Sequence, residues 1–168
     1  MKMIDGLLAE LEQEAETTRR VLERIPQAHL SWKPHPKSMS LGQLALHVAT
    51  VPGMVAELAA VDTVPEPPSF VQPEAATTAE LVPSLTESVA KAKRALGGFD
   101  DAKMGAMWRL QSGGKDILAM PRAAFVRAIM LNHWYHHRGQ LLVYLRLLNQ
   151  PVPSVYGPTA DENPFMMA

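Results

Sequence analysis

Apolar residues recur along the first 25 positions in alternating steps of four and three: Ile4, Leu8, Leu11, Ala15, Thr18, Leu22 and Ile25. Residues so spaced stack on one face of a helix and form a bundle seam. Glu10, Glu12, Glu14, Arg19, Glu23 and Arg24 fall on the other faces, and Pro26 closes the segment, so a first helix is expected over roughly 3–25. Residues 26–39 hold Pro26, Pro34 and Pro36 and read as an irregular connection. Ser40-Leu41-Gly42-Gln43 is then a capping box, with Met39 and Leu44 placed as its hydrophobic staple. The helix it opens, roughly 40–58, sets Leu44, His47, Val48 and Val51 on one face. Pro52 cannot donate to the carbonyl of Val48, so Pro52-Gly53 is expected to kink or end this helix.

Residues 61–76 contain four prolines and no sustained period, which predicts a long loop of the kind that serves as a lid, a binding segment or a passive connection. Thr77-x-x-Glu80 is a second capping box, and Leu81, Leu85, Val89, Ala92 and Leu96 continue a third helical stripe, roughly 78–96. Pro83 blurs its start, and Gly97-Gly98 stops it. Within 106–119 the pattern changes: Trp108-Arg109-Leu110-Gln111, Ser112-Gly113-Gly114 and Lys115-Asp116-Ile117-Leu118 predict a short β-hairpin. Such a hairpin is marginal alone and should rest on a helix. Pro121 suits the first turn of a final helix, roughly 121–148. The tail, 149–168, carries Pro151, Pro153, Pro158 and Pro164 and reads as an extended wrap. Four helices with one apolar stripe each predict an all-α, single-domain four-helix bundle over residues 1–168, with a short β-hairpin before the last helix.

Composition removes several alternatives. Lys+Arg (16) nearly balances Asp+Glu (17), giving a net charge of −1 and no basic stripe for nucleic acid. The start, Met1-Lys2-Met3-Ile4-Asp5, has an early acid and no apolar core of a signal peptide. The longest uncharged run, 38–56, reads as too polar and broken to span a bilayer. A cytoplasmic protein with no membrane partner is the expectation. The chain has no cysteine, so disulfides, thiolate zinc sites, iron–sulfur clusters and a Cys nucleophile are excluded. Any metal must be held by nitrogen and oxygen.

The chemistry concentrates in His133-Trp134-Tyr135-His136-His137-Arg138-Gly139-Gln140. On a helix His133 and His137 lie one above the other, the spacing at which two imidazoles ligate one ion. A third ligand must come from elsewhere, and His47 on its apolar helix is the candidate. A lone histidine on an apolar stripe is more often a hydrogen-bonded core residue. Three of them buried without a shared partner would cost several desolvations, which favours a metal. His137 has the more apolar helical neighbours, so His136 is expected at the rim, and His29 and His35 at the surface. Gln140 is placed either to orient a ligand or bound water or to pack, and Gln43 is already explained by its capping box. Arg138 reads as a surface or interhelical ion-pair residue. Trp32, Trp108 and Trp134 either line a pocket or fill the core.

The His-x-x-x-His-Arg-Gly-Gln signature at 133–140, His47 within Leu44-Ala45-Leu46-His47-Val48, and the Trp32…Pro34 segment before it resemble the DinB/YfiT-like superfamily across nearly the whole chain. The resemblance implies a four-helix bundle of up-down-down-up topology, often a homodimer, holding a divalent metal on His47, His133 and His137. It also implies thiol-dependent transferase or isomerase chemistry for some members, although fold and ligands do not fix the reaction.

Three neutral imidazoles leave a metal its full charge and one open position. The expected function is a metal-dependent enzyme with zinc or nickel. It would act either as a hydrolase through metal-bound hydroxide or as a transferase on a low-molecular-weight thiol. No carboxylate stands one or two turns from these histidines on the same face, which favours the thiol. The rivals are a non-catalytic, metal-stabilised binding or stress-response module, and an interaction module without metal. Glu66, Glu74, Asp161 and Glu162 are the carboxylates that the loop or tail can bring to the fourth position.

Overall fold

The computed structural model describes residues 2–69 and 71–166. The chain is mostly helical with a small three-stranded sheet. Long helices α1 (Met3–Leu22), α2 (Leu41–Ala60) and α3 (Leu81–Leu96) are followed by a short α4 (Asp101–Gly105). A final helical run comprises α5 (Arg122–Phe125), a π-helical segment (Val126–Asn132) and α6 (His133–Leu147). Ile4, Leu11, Thr18, Val21 and Leu22 bury the inner face of α1. Glu14, expected on an outer face, is buried as well, because Arg138 of α6 pairs with it at 2.6 Å.

Helix α2, which Pro52 was expected to kink or end, continues through the proline to Ala60. The backbone groups that the proline disrupts are satisfied from outside the helix, which is how interior prolines are accommodated. Trp134 Nε1 donates to the Val48 carbonyl at 2.7 Å, and Gly53 N donates to Ser88 Oγ at 2.8 Å. Ser88 Oγ in turn donates to the Thr50 carbonyl at 3.0 Å. A Cβ on Gly53 would meet the Ser88 carbonyl oxygen at 2.8 Å, so the glycine is what lets α3 approach this closely. Leu41–Ala60 is also long and apolar enough to cross a membrane by length and composition, contrary to the reading of 38–56. Two thirds (67%) of its apolar window is buried inside the protein, so its apolarity fills the core.

The hairpin forms as expected, with β2 (Met107–Ser112) and β3 (Lys115–Pro121) antiparallel and Gly113 and Gly114 both at positive φ in the two-residue turn. Strand β1 (Thr63–Val64), inside the segment expected to be loop throughout, pairs parallel with β2 through Thr63–Arg109 and Val64–Leu110. The hairpin rests on the final helical run, with Trp108 stacked on Phe125 at 3.8 Å between ring centroids. Arg122, fully buried, donates to the carbonyls of Ala59, Val61 and Lys103 and pairs with Asp62 at 2.5 Å. It thereby ties the C-terminal end of α2 to the start of the final run.

Candidate metal centre

His47 on α2 and His133 and His137 on α6 converge, with one ring nitrogen of each within 4.8 Å of the others. The Nε2 atoms of His47 and His133 are 3.5 Å apart. A tetrahedral ion with bonds of about 2.0–2.1 Å sets its nitrogen ligands roughly 3.3 Å apart, so small side-chain rotations complete the set.

The remaining ring nitrogens decide which lone pairs face inward. The π-helical segment makes His133 N reach back to the Ala128 carbonyl, one residue further than in an α-helix. The Ile129 carbonyl, which an α-turn would have given to that N–H, instead accepts from His133 Nδ1 at 3.2 Å. Gln140 Oε1 accepts from His137 Nδ1 at 2.8 Å. A carbonyl oxygen can only accept, so both rings carry their proton on Nδ1 and present a bare Nε2. This is the tautomer that ligation through Nε2 requires, held by outer hydrogen bonds of the usual kind. Burial pushes all three imidazoles below their ordinary pKa. His47 falls to about 4, driven first by burial and then by the neighbouring His137 and His133, against an opposing pull from the Gln72 side chain. His133 and His137 are lowered chiefly by burial, against the raising effects of the Ile129 carbonyl and of Gln140. Three neutral, convergent imidazoles fit a divalent cation.

The capping box anchors this end of α2. Gln43 N donates to Ser40 Oγ at 3.1 Å, and Ser40 N donates to Gln43 Oε1 at 2.9 Å. Gln43 Nε2 reaches on to the Gln72 carbonyl at 3.1 Å, so the residue that caps the helix also fastens the loop beside His47.

His136 is exposed and stays outside the cluster, as expected at the rim. The four loop and tail carboxylates are engaged elsewhere. Glu66 accepts from Ser112 Oγ and Gly113 N, and Glu74 from Ser40 Oγ. Asp161 pairs with Arg146, which together with the Val152 N–H holds its carboxyl below the usual range, and Glu162 is held low first by the Ser154 N–H and then by its partner Arg20. Arg138 is buried and interhelical, bridging Glu14, Thr18 and Tyr156. Trp134 fills the core, Trp32 packs edge-on against Tyr144, and Trp108 lines a cavity.

That cavity, about 600 Å³, opens beside the three histidines. Residues from α2, the 64–73 loop, the hairpin and the final helical run line it. Sequence reasoning expected the proline-rich 61–76 loop or the tail to form part of the wall, and Pro68, Val71 and Gln72 of that loop line it. It missed the rest. Thr50, Met54 and Glu57 follow His47 at helical steps and were findable from the period, whereas Leu110 and Leu118 come from the hairpin, which carries no such signal.

This helical fold with its three-histidine cluster has known relatives. The profile of the DinB family matches residues 1–164, and the chain belongs to that family. It is similar to the protein YrdA of Bacillus subtilis (strain 168), 24% identical over 168 residues that cover 95% of this chain and 91% of that protein. Among solved structures, a DinB-like protein from Bacillus cereus ATCC 10987 superposes with a TM-score of 0.70 at 24% identity, over 93% of this chain and 100% of that one. The DinB-like protein YjoA of Bacillus subtilis does so with a TM-score of 0.67 at 19% identity, over 89% and 96%. At these identities the structural likeness establishes the fold.

Proposed function

We propose that this chain is a divalent-metal-dependent enzyme in which His47, His133 and His137 hold zinc or nickel. A thiol-dependent transferase or isomerase is the favoured activity. The observation that carries the reading is the convergence of the three histidines, with outer hydrogen bonds from His133 Nδ1 to Ile129 and from His137 Nδ1 to Gln140 that leave the Nε2 of both rings bare. When bound, the metal would supply a Lewis acid that lowers the pKa of a thiol or a water brought to it. The chain's own part is to keep the imidazoles neutral, to exclude water with the apolar cavity wall, and to leave one side of the cluster facing that cavity. Among the described residues Glu57 is the one carboxylate on that wall, ten residues and so roughly 15 Å along α2 from His47. A carboxylate so placed cannot serve as general base at the cluster, which supports the thiol over hydrolysis. The up-down-down-up bundle and homodimeric assembly belong to the same proposal.

The test is elemental analysis of protein purified without an affinity tag, followed by cobalt substitution and titration with a small thiol. One equivalent of metal and a change in the visible spectrum as sulfur enters support the enzyme. A spectrum that stays fixed over a wide range of thiol and pH would mean that protein fills the fourth position. The site would then be structural, and the non-catalytic module would stand.

A further inference from the structure

We infer that the cavity beside the histidines takes a neutral molecule with an apolar body, and that it discriminates against thiols and other ligands carrying a carboxylate. The inference rests on the proposed site for where the donor head lies, but its own basis is the wall. Leu58, Val64, Trp108, Leu110, Leu118 and Phe125 are among the residues of a mostly apolar lining, and the volume of about 600 Å³ suits a small organic molecule. Among the described residues no Lys or Arg lines it, and Glu57 is the charged group present. Lys91, which pairs with Glu57 at 3.0 Å, lines the neighbouring groove between α2 and α3 instead. A thiol that carries a carboxylate, as a peptidic one does, needs a cationic partner for it when it is withdrawn from water. With the donor head at the histidines, a carboxylate at the far end of such a thiol would find no cationic side chain in the wall, where the one charged group, Glu57, is itself an anion already paired with Lys91. A neutral aliphatic or aromatic body would instead exchange water for apolar wall along its length.

The experiment uses the full chain in two calorimetric arms. The chelator-treated protein is titrated with 1-butanol, 1-hexanol, 1-octanol and octanoate, and the cobalt-loaded protein with n-alkanethiols and ω-mercaptocarboxylates of equal length. Affinity for the neutral series should rise about fourfold per methylene until the cavity is full, since each buried methylene contributes roughly 0.8 kcal/mol. The charged partner of each pair should bind at least tenfold more weakly. Leu118→Arg, a half-buried strand position, should narrow or reverse that preference. Equal binding of neutral and charged partners, or affinity independent of chain length, overturns the inference even if metal binds. Failure to take up cobalt overturns the proposed function but leaves the alcohol arm able to decide this one. Should Leu118→Arg not fold, the wild-type series decides alone.

Discussion

The indole of Trp134 donates to the carbonyl of Val48 at 2.7 Å, the oxygen that Pro52 cannot serve. The residue next to one proposed ligand, His133, thus repairs the helix that carries another, His47. Both groups are fully buried, so the bond is formed away from water. It fixes α6 against α2 one residue from each histidine, which makes the spacing of the cluster a consequence of a backbone repair.

Trp134→Phe should therefore cost more than lost packing. It leaves a buried carbonyl without its donor, a penalty of about 1–3 kcal/mol by itself. Pro52→Ala restores an N–H that can donate to Val48 from within the helix, so the same Trp134→Phe change should cost less in that background. Denaturant unfolding of the four proteins of this cycle measures the coupling. Equal penalties in both backgrounds would show that the indole contributes volume alone.

What the sequence made legible was local. A capping box and an i,i+4 histidine pair are read over four or five residues, and both stand where expected. His47 was findable because its helix period is clean. The continuation of α2 through Pro52 was not, since the groups that repair it, Trp134 and Ser88, lie 82 and 36 residues from the proline. Nor was the π-turn before His133, because an extra residue in one turn leaves the apolar pattern nearly intact while moving a hydrogen bond. Strand β1 is two residues long, and its pairing with Arg109 and Leu110 is non-local. The burial of Glu14 followed from a partner 124 residues away.

His137→Ala should lower metal content sharply, and His136→Ala should leave it nearly intact. The rings of the two neighbours are only 5.0 Å apart, yet His136 is exposed and only His137 joins the cluster. Gln140→Leu should fall between them, because it frees the His137 ring to turn without removing a ligand; losses of about 10–100-fold in affinity are typical of such outer partners. Metal-to-protein ratios and competition with a chelator read all three. Equal losses in the two histidine variants would mean that the face of α6 is wrongly assigned.

Metal should stabilise the fold, since the ligands come from α2 and α6 and meet only when both are packed. Binding restricted to the folded chain adds about 2.7 kcal/mol at a hundredfold excess over the dissociation constant. Thermal unfolding in excess zinc should occur well above that in chelator, and the difference should vanish in His47→Ala. An unchanged midpoint in wild type would show that no ion binds there.

Arg138→Met should destabilise the protein by about 3–5 kcal/mol without changing the metal content of the folded fraction. The guanidinium is buried and bridges Glu14, Thr18 and Tyr156, so its removal leaves Glu14 as a buried, uncompensated charge. The double variant with Glu14→Leu should recover much of the loss, because the orphaned carboxylate is gone. If the single variant instead loses metal while keeping its unfolding midpoint, Arg138 acts on the site rather than on the fold.

The metal-free protein should weaken as pH falls from about 6.5 toward 4. All three clustered imidazoles are held below the ordinary histidine value of 6.5, His47 to about 4. Between those limits the unfolded chain takes up protons that the folded chain refuses, so stability rises with pH through the window and is flat above it. Carboxylates held low by their partners, Asp161 and Glu162 among them, add losses at the acid end, so the informative range is about 5 to 6.5. His47→Gln should flatten the slope there. Bound metal competes with protons for the same Nε2 lone pairs, so the stabilisation it adds should shrink in the same direction. Chemical unfolding in chelator at half-unit pH steps measures the slope. A wild-type midpoint that holds level from pH 7 to 5 would mean that the folded cluster accommodates its protons, and the convergence of three neutral imidazoles would no longer describe the site.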